Sequence, residues 1–160
     1  MSKIFNHPLM HNNITKSDFK SVINFLKKSP ILTQNKNFFN FEKKWSKWLG
    51  VKYSVFVSSG SAANFITLSA ARNFFGKGEI ILPPLTWPSD VMAVINNGFK
   101  PVFVDINLKN LAMSEENILK KINKKTKGVF ITHAQGFNGL TDKLIATLKK
   151  KKNTFNRGCL

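Results

Sequence analysis

From Tyr53 onward, short β-branched or apolar runs alternate with stretches of helical periodicity, and this alternation limits the fold more than any other feature. The runs 53–57, 79–82, 101–104 and 128–132 read as strands. Helical patterns fill 61–75, 89–97, Ser114 to about Ile122, and 140–151. Gly76-Lys77-Gly78 and Gly98 punctuate the alternation as turns, and Asp105 closes a strand as a turn or cap. Strands alternating with helices imply an α/β fold with a mainly parallel sheet and flanking helices.

Two helices precede this region. Thr15 to Lys28 places Phe19, Val22, Ile23 and Leu26 on one face, with Thr15 or Ser17 as cap and Ser29-Pro30 as stop. Thr33-Gln34-Asn35 is a polar connector. Phe38 to Leu49 repeats Phe38, Phe41, Trp45, Trp48 and Leu49 at helical spacing, and Gly50 stands where the helix should end. No internal repeat and no linker interrupts the chain.

Ligands of open parallel sheets sit beyond the carboxyl ends of the strands. Two segments fall there. Ser59-Gly60-Ser61 follows the run 53–57 and opens the helical pattern of Ala62-Ala63-Asn64. A helix start of small residues aims free backbone N–H groups and a positive dipole end at one point, which suits a phosphate. The second segment is the loop Pro83 to Ser89. Its Trp87 lies off any apolar stripe, so its flat face can either pack or stack on a planar ring.

Composition narrows the alternatives. The formal net charge is +17, but of the 25 basic residues only Arg72 and Arg157 are arginine. Arginine is the side chain best shaped for bidentate phosphate and base contacts. The lysines are scattered except at 149–152, and Lys, Asn, Ile and Phe share AT-rich codons, so codon bias explains the excess. A solvated basic surface is expected rather than a nucleic-acid face, with a basic nucleic-acid- or lipid-binding module as the alternative of another class. No apolar run is long enough to span a membrane, and 1–13 lacks the apolar core of a signal peptide. The single cysteine, Cys159, fits a cytoplasmic setting. Walker A, G-x-S-x-G and metal-ligand spacings are absent, and His7, His11 and His133 pair with no such partner.

Taken together, several segments resemble one family. They are Leu32-Thr33-Gln34, Phe41-Glu42 with Trp48-Leu49-Gly50, Ser59 to Asn64, Pro84-Leu85-Thr86-Trp87, Gly98 to Asp105, and Thr126 to Val129. In this order and spacing the chain resembles the N-terminal part of the DegT/DnrJ/StrS sugar aminotransferases, pyridoxal-phosphate enzymes of the aspartate-aminotransferase fold. The resemblance implies that residues 1–152 are part of the large domain of a fold-type I pyridoxal-phosphate enzyme, with its sheet incomplete. It implies that Gly60, Ser61 and Ala62 hold the cofactor phosphate and that Trp87 stacks on the pyridine ring. Thr33 and Gln34 correspond to a loop near the substrate. The implied reaction exchanges a ketone for an amine on a nucleotide-linked sugar, with glutamate as donor, in a homodimer. A branch of the family implies a 3-dehydratase instead, with histidine replacing the Schiff-base lysine. The wording of Ser59 to Asn64 leans toward that branch, and Trp87 leans back toward the aminotransferases.

Within this resemblance the Schiff-base lysine and the aspartate that pairs with the pyridinium nitrogen lie beyond residue 160, so no residue here is assigned a catalytic role. The family would continue after Lys152 with an apolar strand ending in Glu-Asp. Residues 153–160 read Asn-Thr-Phe-Asn-Arg-Gly-Cys-Leu. They can be encoded so that reading one base later gives Thr-Leu-Leu-Ile-Glu-Asp-Val. An out-of-frame tail over 153–160, and an inactive, poorly folding fragment, are the resulting expectations.

Overall fold

The computed structural model describes residues 12–154, which form two compact units, one ending at Phe56 and the other beginning at Val57. The first holds α1 (Lys16–Leu26) and α2 (Lys36–Leu49). Thr15 caps α1 in a reciprocal arrangement: its Oγ1 accepts from the Asp18 N–H at 3.2 Å, and Asp18 Oδ2 accepts from the Thr15 N–H at 2.8 Å. Asn35 caps α2 through Oδ1, which accepts from Asn37 N at 2.8 Å. Gly50 ends it in the left-handed region at φ 75°, where a residue without Cβ sits at no cost. The predicted stripe of α1 forms, but Phe19, Val22, Ile23 and Leu26 all remain exposed.

The expected strand 53–57 does not form. The segment pairs with none of the three strands of the described sheet. Tyr53, Val55 and Phe56 are exposed, and the Phe56 N–H donates to Glu42 Oε1 at 2.8 Å. Within this unit the Phe56 ring meets Phe38 and Phe41 edge-on, at 5.7 and 5.1 Å between centroids. Strand composition is favourable only where a neighbouring ladder accepts the backbone, and here side chains take its place.

The second unit runs α3 (Gly60–Phe75), β1 (Glu79–Leu82), α4 (Pro88–Asn96), β2 (Lys100–Phe103), α5 (Glu115–Lys121), β3 (Thr126–Val129) and α6 (Asp142–Thr154), with a 3₁₀ turn at Ala134–Gly136. The strands form one parallel sheet in the order β2-β1-β3. Central β1 is covered on both faces. Ile80 and Leu82 pack with Leu68 and Ala71 of α3, Ala93 and Val94 of α4, and Phe99. Ile81 faces the other way, into Val104, Met113, Ile118 and Leu144. A doubly covered parallel strand reads as a continuous apolar run, as Ile80-Ile81-Leu82 does.

β3 begins two residues before its predicted start. Thr126 Oγ1 accepts from Asn123 N, and Asn123 Oδ1 accepts from Lys125 N, so this polar turn launches the strand ahead of Gly128. Pro101 sits on β2, the outer strand beside β1. Lys100 N and Val104 N donate to the carbonyls of Gly78 and Leu82, so Pro101, lacking an N–H, faces away from the ladder. The supposed tail lies outside the described residues, except that α6 runs through 153 and 154.

Candidate functional site

Three segments of the second unit converge at the carboxyl edge of the sheet. Thr86 follows β1, Thr132 follows β3, and Asn64 lies one turn into α3. Asp90, in the first turn of α4, joins them. Its Oδ1 accepts from Asn64 Nδ2 at 2.7 Å, and from Ser89 Oγ at 3.4 Å. Its Oδ2 accepts from Thr86 Oγ1. With the Thr86 hydroxyl proton committed to the carboxylate, the 2.7 Å contact between Thr86 and Thr132 has Thr132 as donor. Asp90 is 5% exposed, and no lysine, arginine or histidine pairs with it among the described residues. The α4 N-terminus and the neutral donors offset the cost of burying the carboxylate. Asn97 adds a second tie between the helices, donating from Nδ2 to Phe65 O at 3.2 Å.

The α3 start therefore reaches the sheet edge through side chains rather than at the end of a strand. Ser59 caps it, with Oγ accepting from Ala62 N at 3.1 Å and its carbonyl from Ala63 N at 3.0 Å. The N–H groups of Gly60 and Ser61, in the first turn, have no intrahelical acceptor. A Cβ placed on Gly60 meets no atom within 4 Å, so the space beside this first turn is open. The N–H of Ala62 is engaged by Ser59, and a third ligand contact there requires that cap to turn away.

Trp87 is the N-cap position of α4, followed by Pro88 at the first helical position. Its carbonyl accepts from Asp90 N at 2.9 Å, which fixes the backbone, while the residue as a whole is 75% exposed. The ring presents a free flat face on an anchored backbone. Thr33 and Gln34 lie in the first unit on the loop between α1 and α2, both exposed, with Gln34 left-handed at φ 40°. His133, another residue after β3, accepts from Gly139 N through Nδ1 at 3.1 Å and braces its loop.

Of the predicted residues, Gly60, Ser61, Ala62 and Trp87 all belong to the second unit, on segments joined by the Asp90 network. Asp90 itself was not singled out from sequence. The available signal was its spacing: three and four residues before Ala93 and Val94, it falls on the buried face of α4.

The parallel sheet and its covering helices give this chain the fold of solved sugar aminotransferases. The DegT/DnrJ/EryC1/StrS aminotransferase family matches residues 12–151, and the chain belongs to that family. It is 36% identical over 96 residues to GDP-perosamine synthase of Vibrio cholerae, covering 60% of this chain and 26% of that protein. It is 30% identical to dTDP-4-amino-4,6-dideoxy-D-glucose transaminase of Shigella dysenteriae, covering 88% and 39%. A crystal structure of GDP-4-keto-6-deoxymannose-3-dehydratase with a trapped PLP-glutamate geminal diamine superposes with a TM-score of 0.71 at 29% identity, over 79% of this chain and 34% of that one. The chain thus spans between a quarter and two fifths of the length of these relatives. No described helix is long and apolar enough to cross a membrane.

Proposed function

We propose that this chain carries the cofactor-binding part of a pyridoxal-phosphate enzyme that transfers an amino group to a nucleotide-linked keto-sugar, in polysaccharide or surface-sugar synthesis. The carrying observation is the open start of α3, joined through Asp90 to the loop that presents Trp87. The residues fit the group. Gly60 and Ser61 would donate backbone N–H groups to its phosphate, Ser61 would add its hydroxyl, and Ala62 would contribute on release of the Ser59 cap. The α3 dipole adds about 0.3–1 kcal/mol toward an anion at this end. Trp87 would cover one face of the ring and keep water from it. When bound, pyridoxal phosphate supplies an electron sink for bond cleavage at the substrate carbon.

Thr33 and Gln34 are the residues of the first unit proposed to meet the sugar nucleotide. Glutamate as donor, a cytoplasmic setting and a homodimer complete the reading. The exposed apolar side chains of the described residues, Trp48, Tyr53, Val55 and Phe74 among them, support an assembly larger than this chain. Residues 1–152 are proposed as one part of the large domain and 153–160 as an out-of-frame tail. No lysine of the chain is given the proton-transfer role, so the 160 residues alone are expected to give no turnover, and saturable cofactor binding by them would correct the expectation of a poorly folding fragment.

Dehydration at C3 is the second reading, favoured by the similarity to GDP-4-keto-6-deoxymannose-3-dehydratase. Titration with pyridoxal phosphate, followed by absorbance and tryptophan emission, tests the binding claim. Saturable quenching competed by inorganic phosphate is expected, and its absence refutes the site. Incubation with glutamate and a GDP-linked 4-keto-6-deoxy sugar, read by mass spectrometry, tests the chemistry. The chain alone should leave the sugar unchanged, and amine formation by it would refute the division of labour. In the intact enzyme an amine-bearing product supports transfer, and a 3-deoxy product supports dehydration.

A further inference from the structure

We infer that Asp90 is a positioning residue that sets the distance between the phosphate seat and the ring platform, and so makes the site selective for a phosphate carrying a flat ring over phosphate alone. This rests on the reading of α3 and Trp87 as a pyridoxal-phosphate site. Each side of the site is fixed to Asp90 directly. On the seat side, Asn64 lies four residues after Gly60 and three after Ser61, on the same face of α3, and its amide donates to Asp90 Oδ1 at 2.7 Å. On the platform side, Thr86 is the neighbour of Trp87 and donates to Oδ2, and Asp90 N donates to the Trp87 carbonyl at 2.9 Å. Thr132 then ties the same hydroxyl to the end of β3. One buried carboxylate holds both parts of the site against the sheet, through acceptor positions that only an acid offers together.

A carboxylate near an anion seat is electrostatically adverse, which sharpens the inference. Its lone pairs accept from Asn64, Thr86 and Ser89, and it stands at the N-terminus of α4, so its charge is offset within the protein. A residue kept only to fill space here would be apolar. An acid contributes the two acceptor oxygens on which these three donors converge.

The test compares Asp90→Asn, Thr86→Val and the exchange N64D/D90N in the full chain, with two probes: pyridoxal phosphate and inorganic phosphate. The amide of Asp90→Asn carries no charge, and it either sets a donor against Asn64 or, accepting from Asn64, donates to Thr86 and obliges the Thr86–Thr132 pair to reverse. Affinity for pyridoxal phosphate should fall by about tenfold or more, as for loss of a buried charge-assisted hydrogen bond. Affinity for inorganic phosphate, which needs the seat alone, should change by less than about threefold on the same reasoning. Thr86→Val removes the platform tie and should show the same selective loss. The exchange variant returns a carboxylate to the pair and should restore the ratio of the two affinities. Equal loss for both probes, or no loss for either, overturns the inference, because a merely structural residue lowers both together or neither. If Asp90→Asn does not fold, Thr86→Val and the exchange variant decide it by the same ratio. Failure of the unaltered chain to bind pyridoxal phosphate overturns the site reading itself, and this inference with it, in an arm separate from the variants.

Discussion

Gly60→Ala separates what the fold needs from what a ligand needs at the same position. Gly60 is the first residue of α3, its φ lies outside the left-handed region, and a Cβ there meets nothing within 4 Å. The folded chain therefore accepts alanine without strain. Replacing glycine at a compatible site restricts the unfolded chain and stabilises by about 0.4–1 kcal/mol. In a chain of this size 1 kcal/mol corresponds to roughly 2–4 °C in Tm, so melting should rise by about 1–4 °C. The same methyl group would stand beside the first turn, where a phosphate seated on the Gly60 and Ser61 N–H groups must come close. A phosphate seated there would be held back from one backbone N–H, and affinity for pyridoxal phosphate should drop by about tenfold or more, the equivalent of roughly 1.5 kcal/mol for a charge-assisted hydrogen bond. Far-UV circular dichroism melts and cofactor titration by absorbance measure the two effects on one sample. Opposite signs are the expected signature. Unchanged cofactor affinity would show that the phosphate does not rest on this helix start, and a lowered Tm would show that the space before Gly60 is not open.

Three other outcomes follow from the same structure. Trp87→Ala should abolish the quenching by pyridoxal phosphate while shifting Tm by less than about 2 °C, since an exposed surface substitution lies within about ±0.5 kcal/mol; a large loss of stability would mean the ring packs in the fold. Ile81→Ala should cost about 2–5 kcal/mol in urea unfolding, because Ile81 is fully buried at the centre of one core; a cost under 1 kcal/mol would contradict the doubly covered sheet. Glu115 accepts from Thr141 Oγ1 at 2.8 Å and lies 3.2 Å from Lys143 Nζ, contacts that hold its carboxyl below the ordinary value of 4.5, with the Thr141 bond as the main cause. A lowered folded pKa gives stability that is fully present above pH 4.5 and fades as pH falls through the depressed value. Thr141→Val should shrink that acid-side loss of stability, and an unchanged pH profile would remove Glu115 from the account.

Local signals were legible in the sequence, and relations between distant segments were not. Thr15, Gly50, Gly76 and Gly98 mark helix ends because caps and left-handed glycines act within a few residues. β1 is legible at its observed bounds because Ile80-Ile81-Leu82 is an apolar run between turns. The run 53–57 has the same kind of composition and formed no strand, because a strand is defined by a partner that its own residues do not specify. The site divides in the same way. Gly60, Ser61 and Trp87 carry their message in local chemistry. Asp90 gains its role from Asn64, 26 residues away, and Thr86 from Thr132, 46 residues away. An acid in the first turn of a helix reads as a partner of the helix dipole, and only the tertiary structure shows it as the junction of the site.

The outward turn of Pro101 gives the sheet a direction of growth. Between Lys100 and Val104 the free edge of β2 shows the backbone of Pro101 and Phe103, so half of the donors that an incoming strand would seek are missing. The edge of β3 carries no such block, since Thr126, Lys127, Gly128 and Val129 all retain their N–H groups. A further strand, from this polypeptide or another, meets the fuller set of donors on the side of β3. β1 and the loop bearing Trp87 would then lie near one end of the enlarged sheet, and groups brought in by added strands would approach the candidate site from the Thr132 side.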